Sequence, residues 1–172
     1  MTTSLYDATV LTYTQQLGAL DRILKRGAAH CSEQSLNLEE LVELRLHHDM
    51  LPFRFQVLST ISHSVGALEG VRKGVFTPFS KGSHNYAELQ QAVSAALETL
   101  GKVTAAEVNA LADREVIFQT GDIKLPFTGE DFLLSFSLPN FYFHSAIAYG
   151  LLRSKGVTLG KKDFLGRMRF KR

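Results

Sequence analysis

His63 stands in a part of the sequence where an imidazole is available for chemistry. Between Phe55 and Leu68 the chain carries no charged residue. With about 100° of rotation per helical residue, His63 falls almost opposite an apolar stripe. The stripe consists of Phe53, Val57, Ile61, Val65 and Leu68, and the face of His63 also carries Gln56, Ser59, Gly66, Ala67 and Gly70. A solvated face normally carries Lys and Glu, so we expect this uncharged face to lie against a neighbouring helix, a cavity or a partner subunit.

A second position with chemical potential is the pair Asn140 and His144, one helical turn apart in a segment without charges. Asn140 is predicted on an inward stripe with Phe136 and Phe143, and His144 at the flank of that stripe. An unsatisfied polar group there costs about 1 to 3 kcal/mol. The pair therefore needs hydrogen bonds or a ligand. Tyr142 and Tyr149 can donate hydrogen bonds in a pocket, although a core or interface position explains two tyrosines better. The candidate pocket residues are Asn140, Tyr142, Tyr149 and Ser59.

The remaining reactive side chains point to no further chemistry. Cys31 is the only cysteine, which excludes an internal disulfide and thiolate zinc cages, and we interpret it as a small buried hydrophobe. No nucleophile elbow, dinucleotide-binding, P-loop or HExxH motif is present. Glu130 and Asp131 are adjacent and point apart on a helix, and the helix dipole explains acidic residues in a first turn. His30 and His84 lie beside loops, where we expect them to be solvated.

Four long helical patterns position these residues. The first has an apolar seam at alternating four- and three-residue steps, formed by Tyr6, Val10, Tyr13, Leu17, Leu20 and Leu24. The other three run from Pro52 to about Val71, from the capping pair Asn85 and Glu88 to Gly101, and from Thr128 or Gly129 to just before Gly156. Two further capping pairs, Ser4 with Asp7 and Thr104 with Glu107, predict the start of the first helix and of a short helix. Alternation in 115–120 and 123–127 around a Gly-Asp turn predicts a β-hairpin. The sequence thus predicts an all-α four-helix bundle with a small β-hairpin inserted before the last long helix.

The charge distribution excludes a nucleic-acid-binding domain. Residues 1–160 hold 13 basic and 16 acidic residues, whereas the last twelve hold six basic residues and one acidic residue. A nucleic-acid-binding domain would instead spread Lys and Arg over a folded face. We expect one domain over residues 1–166 and a short basic tail at 167–172. The N-terminus does not resemble a secretory signal, and a single cysteine is typical of a cytoplasmic protein.

The stretch 132–152 carries 21 residues without a charge, long enough to span a bilayer. Its three serines, its Pro-Asn pair and its histidine favour a buried helix over a membrane span. Because this helix is apolar on both faces, we expect its second face to form a homodimer contact.

Several segments together resemble a known family. They are LPNFYFH at 138–144, the AYGLLR and GVTLGKKDFLG that follow, SLYDATV near the start and HDM before the second helix. In these the chain is similar to an uncharacterised bacterial family of the DinB-like superfamily of metalloenzymes. The resemblance implies a four-helix bundle, often dimeric, which in many members binds a divalent metal through three histidines. Some relatives are thiol-dependent transferases or isomerases.

The resemblance implies only part of the family's three-histidine metal site in this chain. His63 matches the histidine of the second helix, and His144 matches one histidine of the later His-x3-His pair. Asn140 and Ala148 occupy the places where the other histidine of that pair would stand. His48, Asp49 or water would have to complete a site for Zn, Ni or Fe.

Two functions follow from this partial match. The first is a metal-dependent enzyme that acts on a small molecule, with a low-molecular-weight thiol as a further cofactor. The alternative is a non-enzymatic small-molecule-binding or structural dimeric bundle with a degenerate metal site. Neither hypothesis includes a nucleic-acid or membrane partner.

Overall fold

The computed structural model describes residues 3–79 and 82–171 of the chain. Its elements are α1 Leu5–Ala8, α2 Val10–Glu33, α3 Leu38–Val42, α4 Phe53–Ile61, α5 Ala67–Lys73, β1 Val75–Phe76, α6 Tyr86–Leu100, α7 Ala105–Asn109, β2 Glu115–Thr120, β3 Ile123–Thr128, α8 Gly129–Asp131, α9 Leu138–Ser154 and α10 Lys161–Leu165. Two π-helical turns, π1 Ser62–Gly66 and π2 Phe132–Ser137, join α4 to α5 and α8 to α9. The chain is mostly helical and carries one small sheet.

Capping side chains determine where three of the helices begin. In each capping box the first residue accepts a hydrogen bond from the backbone N–H three residues later, and the later side chain accepts one in return. The pairs are Ser4 with Asp7, Asn85 with Glu88, and Thr104 with Glu107. All three helix starts were predicted from the sequence and are confirmed.

The long helices pack around one apolar core. Helix α2 contacts α6, α9 and α10, and α4 contacts α6 and α9. The predicted seam of α2 is confirmed, since Tyr13, Leu17, Leu20 and Leu24 are fully buried. Phe53, Tyr86, Phe132 and Phe141 supply the large aromatic side chains of the core. These contacts fix α4 beside α9, the two helices that carry the candidate site residues.

The sheet has one strand more than the sequence predicts. Strands β2 and β3 form the predicted antiparallel hairpin, with Glu115 opposite Thr128 and Thr120 opposite Ile123. The turn between them uses Gly121 at φ 54°, a left-handed conformation that favours glycine. Strand β1 adds a parallel pairing of Val75 with Ile117. An all-α chain with a hairpin is therefore corrected to a mostly helical chain with a three-stranded sheet.

The two π-helical turns change which side chains face inward. A π turn accommodates an extra residue, so the residues after it rotate relative to a regular helical wheel. The regular wheel placed Phe143 on the inward stripe, but Phe143 is 56% exposed and Phe141 is fully buried instead. The turn π2 lies directly before α9 and accounts for this difference. Within the described residues, no helix combines the length and apolar character needed to cross a membrane.

The C-terminal helix α10 lies against α2. Gln15 and Gln16 donate side-chain hydrogen bonds to the Leu165 and Phe164 carbonyl oxygens at 2.8 and 3.0 Å. Arg26 pairs with Asp163 at 2.6 Å. These contacts from α2 hold residues 161–165 on the folded body.

Candidate functional site

The structure brings His63 and His144 together at the contact between the second and last long helices. His63 lies in π1 and His144 lies in α9, and their ring centroids are 5.9 Å apart with nearly parallel planes. The uncharged face that carries His63 is buried, as the sequence predicted, since His63 is 9% exposed. The two imidazoles therefore form one site rather than two unrelated positions.

Gln56 fixes the tautomer and orientation of His144. The Gln56 side-chain N–H donates to the Leu51 carbonyl oxygen at 2.8 Å, so the amide oxygen Oε1 points to the histidine. His144 Nδ1–H then donates to that oxygen at 2.8 Å. The lone pair is left on Nε2, where it can accept a hydrogen bond or ligate a metal. An acceptor behind one imidazole nitrogen is the usual support of a functional histidine.

Aromatic side chains and one hydroxyl surround His63. Its ring lies 5.5 Å from that of Phe76 and 5.6 Å from that of Phe136. The Ser137 hydroxyl donates to the His63 backbone carbonyl at 3.0 Å and joins π2 to π1. His63 Nδ1 is buried and has no hydrogen-bond partner among the described residues. An unsatisfied buried nitrogen destabilises the folded chain, so its presence needs a reason such as a functional role. The π-helical turn that carries His63 is also a feature found frequently at functional sites.

Burial keeps both histidines neutral at physiological pH. Desolvation, together with the smaller effect of the neighbouring His144, lowers the pKa of His63 to about 4. Desolvation also lowers the pKa of His144 to about 4. Neutral imidazoles offer one lone pair each, so the site can accept hydrogen bonds or coordinate an electrophile but cannot attract an anion by charge.

The donor set falls short of a three-ligand metal site. His48 is exposed on the turn before α4, where its ring centroid lies 4.1 Å from that of His47. His47 is hydrogen-bonded to Asp49 at 2.6 Å. Among residues 3–79 and 82–171, no three His, Cys, Asp or Glu side chains are grouped so that they could hold a metal. The protein supplies two imidazoles, and a metal here would need its remaining ligands from outside.

A groove of about 660 Å³ lies on the outer side of π1, separated from the histidines by Phe76. Its walls come from α4, π1, α5 and β1, and its apolar lining consists of Leu58, Ile61, Val65, Val75, Phe76 and Phe79. Phe76 thus lines the groove, and its ring centroid lies 5.5 Å from that of His63. The close packing of Phe76 against α5 requires glycine at position 70, because a Cβ on Gly70 would lie 2.9 Å from the Phe76 Cβ.

The other predicted pocket residues lie away from this groove. Ser59 is buried in α4, and Asn140 donates its amide to the Phe136 carbonyl at 2.7 Å. Tyr142 is 42% exposed, and Tyr149 packs on Phe164 of α10. None of the four is among the residues that line the groove.

Sequence reasoning did not assign Gln56 and Phe76 to the site. Gln56 lies seven residues before His63, two helical turns away, and a lone amide on that uncharged face was the available signal. Phe76 gave no signal, because its position depends on pairing β1 with a strand forty residues later. Such a long-range pairing leaves no local pattern in the sequence.

A crystal structure of a DinB family member protein from Shewanella denitrificans is similar to this chain, with a TM-score of 0.81 and 28% sequence identity over 98% of this chain and 95% of that chain. Residues 5–165 match the model of a family described as a domain of unknown function, DUF1993, and the chain belongs to that family. No curated protein matches the chain. The predicted resemblance to an uncharacterised DinB-like family is confirmed.

Proposed function

We propose that this chain is a small-molecule-binding four-helix bundle of the DinB-like type. The ligand occupies the groove along α4 and π1, and the neutral pair His63 and His144 forms the polar end of the site behind Phe76. One observation carries this proposal: Phe76 lines the groove and also contacts His63, so cavity and histidines adjoin. The groove volume lies within the range of about 300 to 1,000 Å³ that is typical of ligand pockets.

The chemistry of the walls defines what such a ligand looks like. Six apolar side chains line the groove, so the ligand body is apolar. Both histidines are neutral and lie behind Phe76, so they place no charge at this end of the groove that would attract an anion. The groove therefore favours a ligand with an apolar body over a multiply charged one.

Ile61→Asp is expected to weaken binding of the neutral fluorescent probe N-phenyl-1-naphthylamine at least about tenfold. The substitution places a charge on the apolar wall of the groove, which opposes burial of an apolar probe. Fluorescence titration measures the effect. The matched control is Ile123→Asp, because Ile123 is 56% exposed on the hairpin, outside the groove. Equal binding of the probe by the parent chain and both variants, or no binding by the parent chain, would contradict the proposal.

A metal-dependent enzyme is the second candidate function. Two imidazoles that share one metal, at about 2.0–2.1 Å from each nitrogen, have ring centroids on the order of 5–6.5 Å apart, and the observed distance is 5.9 Å. Gln56 also orients His144 as acceptors orient metal ligands. In the described part of the chain no third protein ligand joins the two histidines, so this candidate is second and we derive no catalytic step from it.

Metal analysis separates the two candidates. If small-molecule binding without a metal is the function, protein purified without a histidine tag contains no stoichiometric Zn, Ni or Fe by mass spectrometry. Calorimetric titration with each metal should then give the same weak signal for the parent chain and for His63→Ala and His144→Ala. One equivalent of metal that both substitutions abolish would instead establish the metal-dependent function.

We also propose that the chain forms a homodimer through α9. This helix exposes Phe143 and Tyr142 at 56% and 42%, and it carries no charge until Arg153. Exposed aromatic side chains on an uncharged helix are typical of interfaces. Light scattering should give twice the chain mass for the parent and one chain mass for Phe143→Asp, while the hairpin variant Ile123→Asp stays dimeric. A monomeric parent chain at micromolar concentration would contradict this proposal.

A further inference from the structure

The groove continues into a second, smaller cavity at its α4 end. This cavity of about 120 Å³ shares Leu58, Phe79 and Gly82 with the groove. Its own walls add Leu51, Pro52 and Phe55 together with two arginines, Arg45 and Arg54. The apolar groove thus ends at guanidinium groups, which no part of the proposed function uses.

The two arginines differ in how their charge is compensated. Arg54 forms an ion pair with Glu43, and its side chain is 24% exposed. Arg45 forms no ion pair within the described residues, and it donates one hydrogen bond to the Met50 carbonyl oxygen at 2.5 Å. One full positive charge therefore stands beside the small cavity with donors left for a ligand.

The opposite end of the groove carries compensated charge. Glu69 pairs with Lys73 at 3.1 Å and lies 3.9 Å from Arg72 on the same helix. Both Glu69 and Lys73 line the groove there. A ligand with one anionic end and an apolar body consequently has only one favourable direction, with its anion toward Arg45.

We propose that the groove binds a single-chain carboxylate of medium length. Its alkyl chain lies along Ile61, Val65 and Phe76, and its carboxylate accepts hydrogen bonds from Arg45. A planar carboxylate matches the geometry of a guanidinium, which can donate two parallel hydrogen bonds to it. The inference rests on the proposed function in that it uses the same groove, and it adds the chemical class of the ligand.

Displacement of N-phenyl-1-naphthylamine by decanoate and by 1-decanol tests the inference. The two competitors share a ten-carbon chain and differ in charge. The ratio of the concentrations at which they displace the probe therefore isolates the contribution of the carboxylate. For the parent chain we expect decanoate to displace the probe at a concentration about tenfold below that of decanol. Arg45→Gln should remove this preference, Arg45→Lys should restore part of it, and the exposed control Arg114→Gln should leave it unchanged.

The outcomes separate this inference from the function on which it rests. Probe binding with equal displacement by both competitors, or a preference for decanoate that Arg45→Gln leaves intact, overturns the carboxylate inference and leaves the groove as a ligand site. Absence of probe binding overturns the proposed function itself. Circular dichroism of each variant verifies that it is folded. The dissociation constant of 1-decanol, which substitution of Arg45 should not change, provides an internal control.

Discussion

Lowering the pH from 7 to 4 is expected to reduce the free energy of unfolding by about 3 kcal/mol through His63 alone. An imidazole in the unfolded chain has its pKa near 6.5, whereas burial lowers the pKa of His63 to about 4. Each unit of pKa difference corresponds to about 1.4 kcal/mol. His144 adds a smaller contribution, because it is partly exposed and solvent screens its charge.

The sign follows from which state binds protons. Above pH 6.5 the histidines are neutral in both states and contribute nothing to the pH dependence. Between pH 6.5 and 4 the unfolded chain binds protons that the folded chain excludes, so protonation favours unfolding. Below pH 4 both states are protonated and the loss is complete. The groups packed closest to the pair are aromatic rings and the Gln56 amide, which cannot neutralise an imidazolium.

Urea unfolding at pH 7 and pH 4 measures this effect. The matched control is the double variant His63→Gln/His144→Gln, whose side chains keep hydrogen-bonding capacity and do not titrate. The free energy of unfolding should fall more for the parent chain than for the variant between the two pH values. The difference between the two losses is the contribution of the histidines. The same acid-induced loss in both proteins would show that other groups, such as carboxylates, cause it.

Gly129→Ala is expected to destabilise the fold by about 3 kcal/mol. A Cβ at this position would overlap the Leu111 carbonyl oxygen and lie 2.8 Å from Val71 Cγ1. Backbone cannot yield as a flexible side chain does, because Glu130 N–H also bonds the Ala112 carbonyl at 2.9 Å. Overpacking of this kind usually costs about 1 to 3 kcal/mol. The substitution would shift the start of the last helical segment and with it the position of His144.

Gly150→Ala provides the matched control within the same helical segment. Nothing lies within 4 Å of a Cβ built at Gly150, so the new methyl group meets open space. Alanine in a helix interior is favoured over glycine by up to about 1 kcal/mol. Thermal unfolding of both variants should therefore give shifts of opposite sign. Two shifts of equal size and sign would contradict the packing assigned to Gly129.

Local signals explain which parts of the fold the sequence predicts. Capping boxes at Ser4, Asn85 and Thr104 and the seam of α2 are short-range patterns, and each helix start they predict is confirmed. The hairpin follows equally from alternation around Gly121. Strand β1 has only two residues and owes its existence to β2, forty residues later, so no local pattern reveals it.

The candidate site, like the fold, is predictable from the sequence only where the signal is local. The uncharged face of His63 and the polar residue His144 in an apolar helix indicate burial from composition alone, and the structure places them 5.9 Å apart. Helical wheels cannot predict the groove, since π1 and π2 rotate the residues that follow them. The side chains that adjoin the histidines, Gln56 and Phe76, become site residues only through tertiary packing.

The most direct test of the proposed function is a methyl-resolved NMR titration of the parent chain with N-phenyl-1-naphthylamine. If the groove is the ligand site, the methyl signals of Ile61, Val65 and Val75 shift with a common dissociation constant. The imidazole signals of His63 should follow, because only the Phe76 ring separates that histidine from the groove. Shifts confined to the methyl groups of Ile123, which is exposed on the hairpin, or no saturable shift at all, would contradict it.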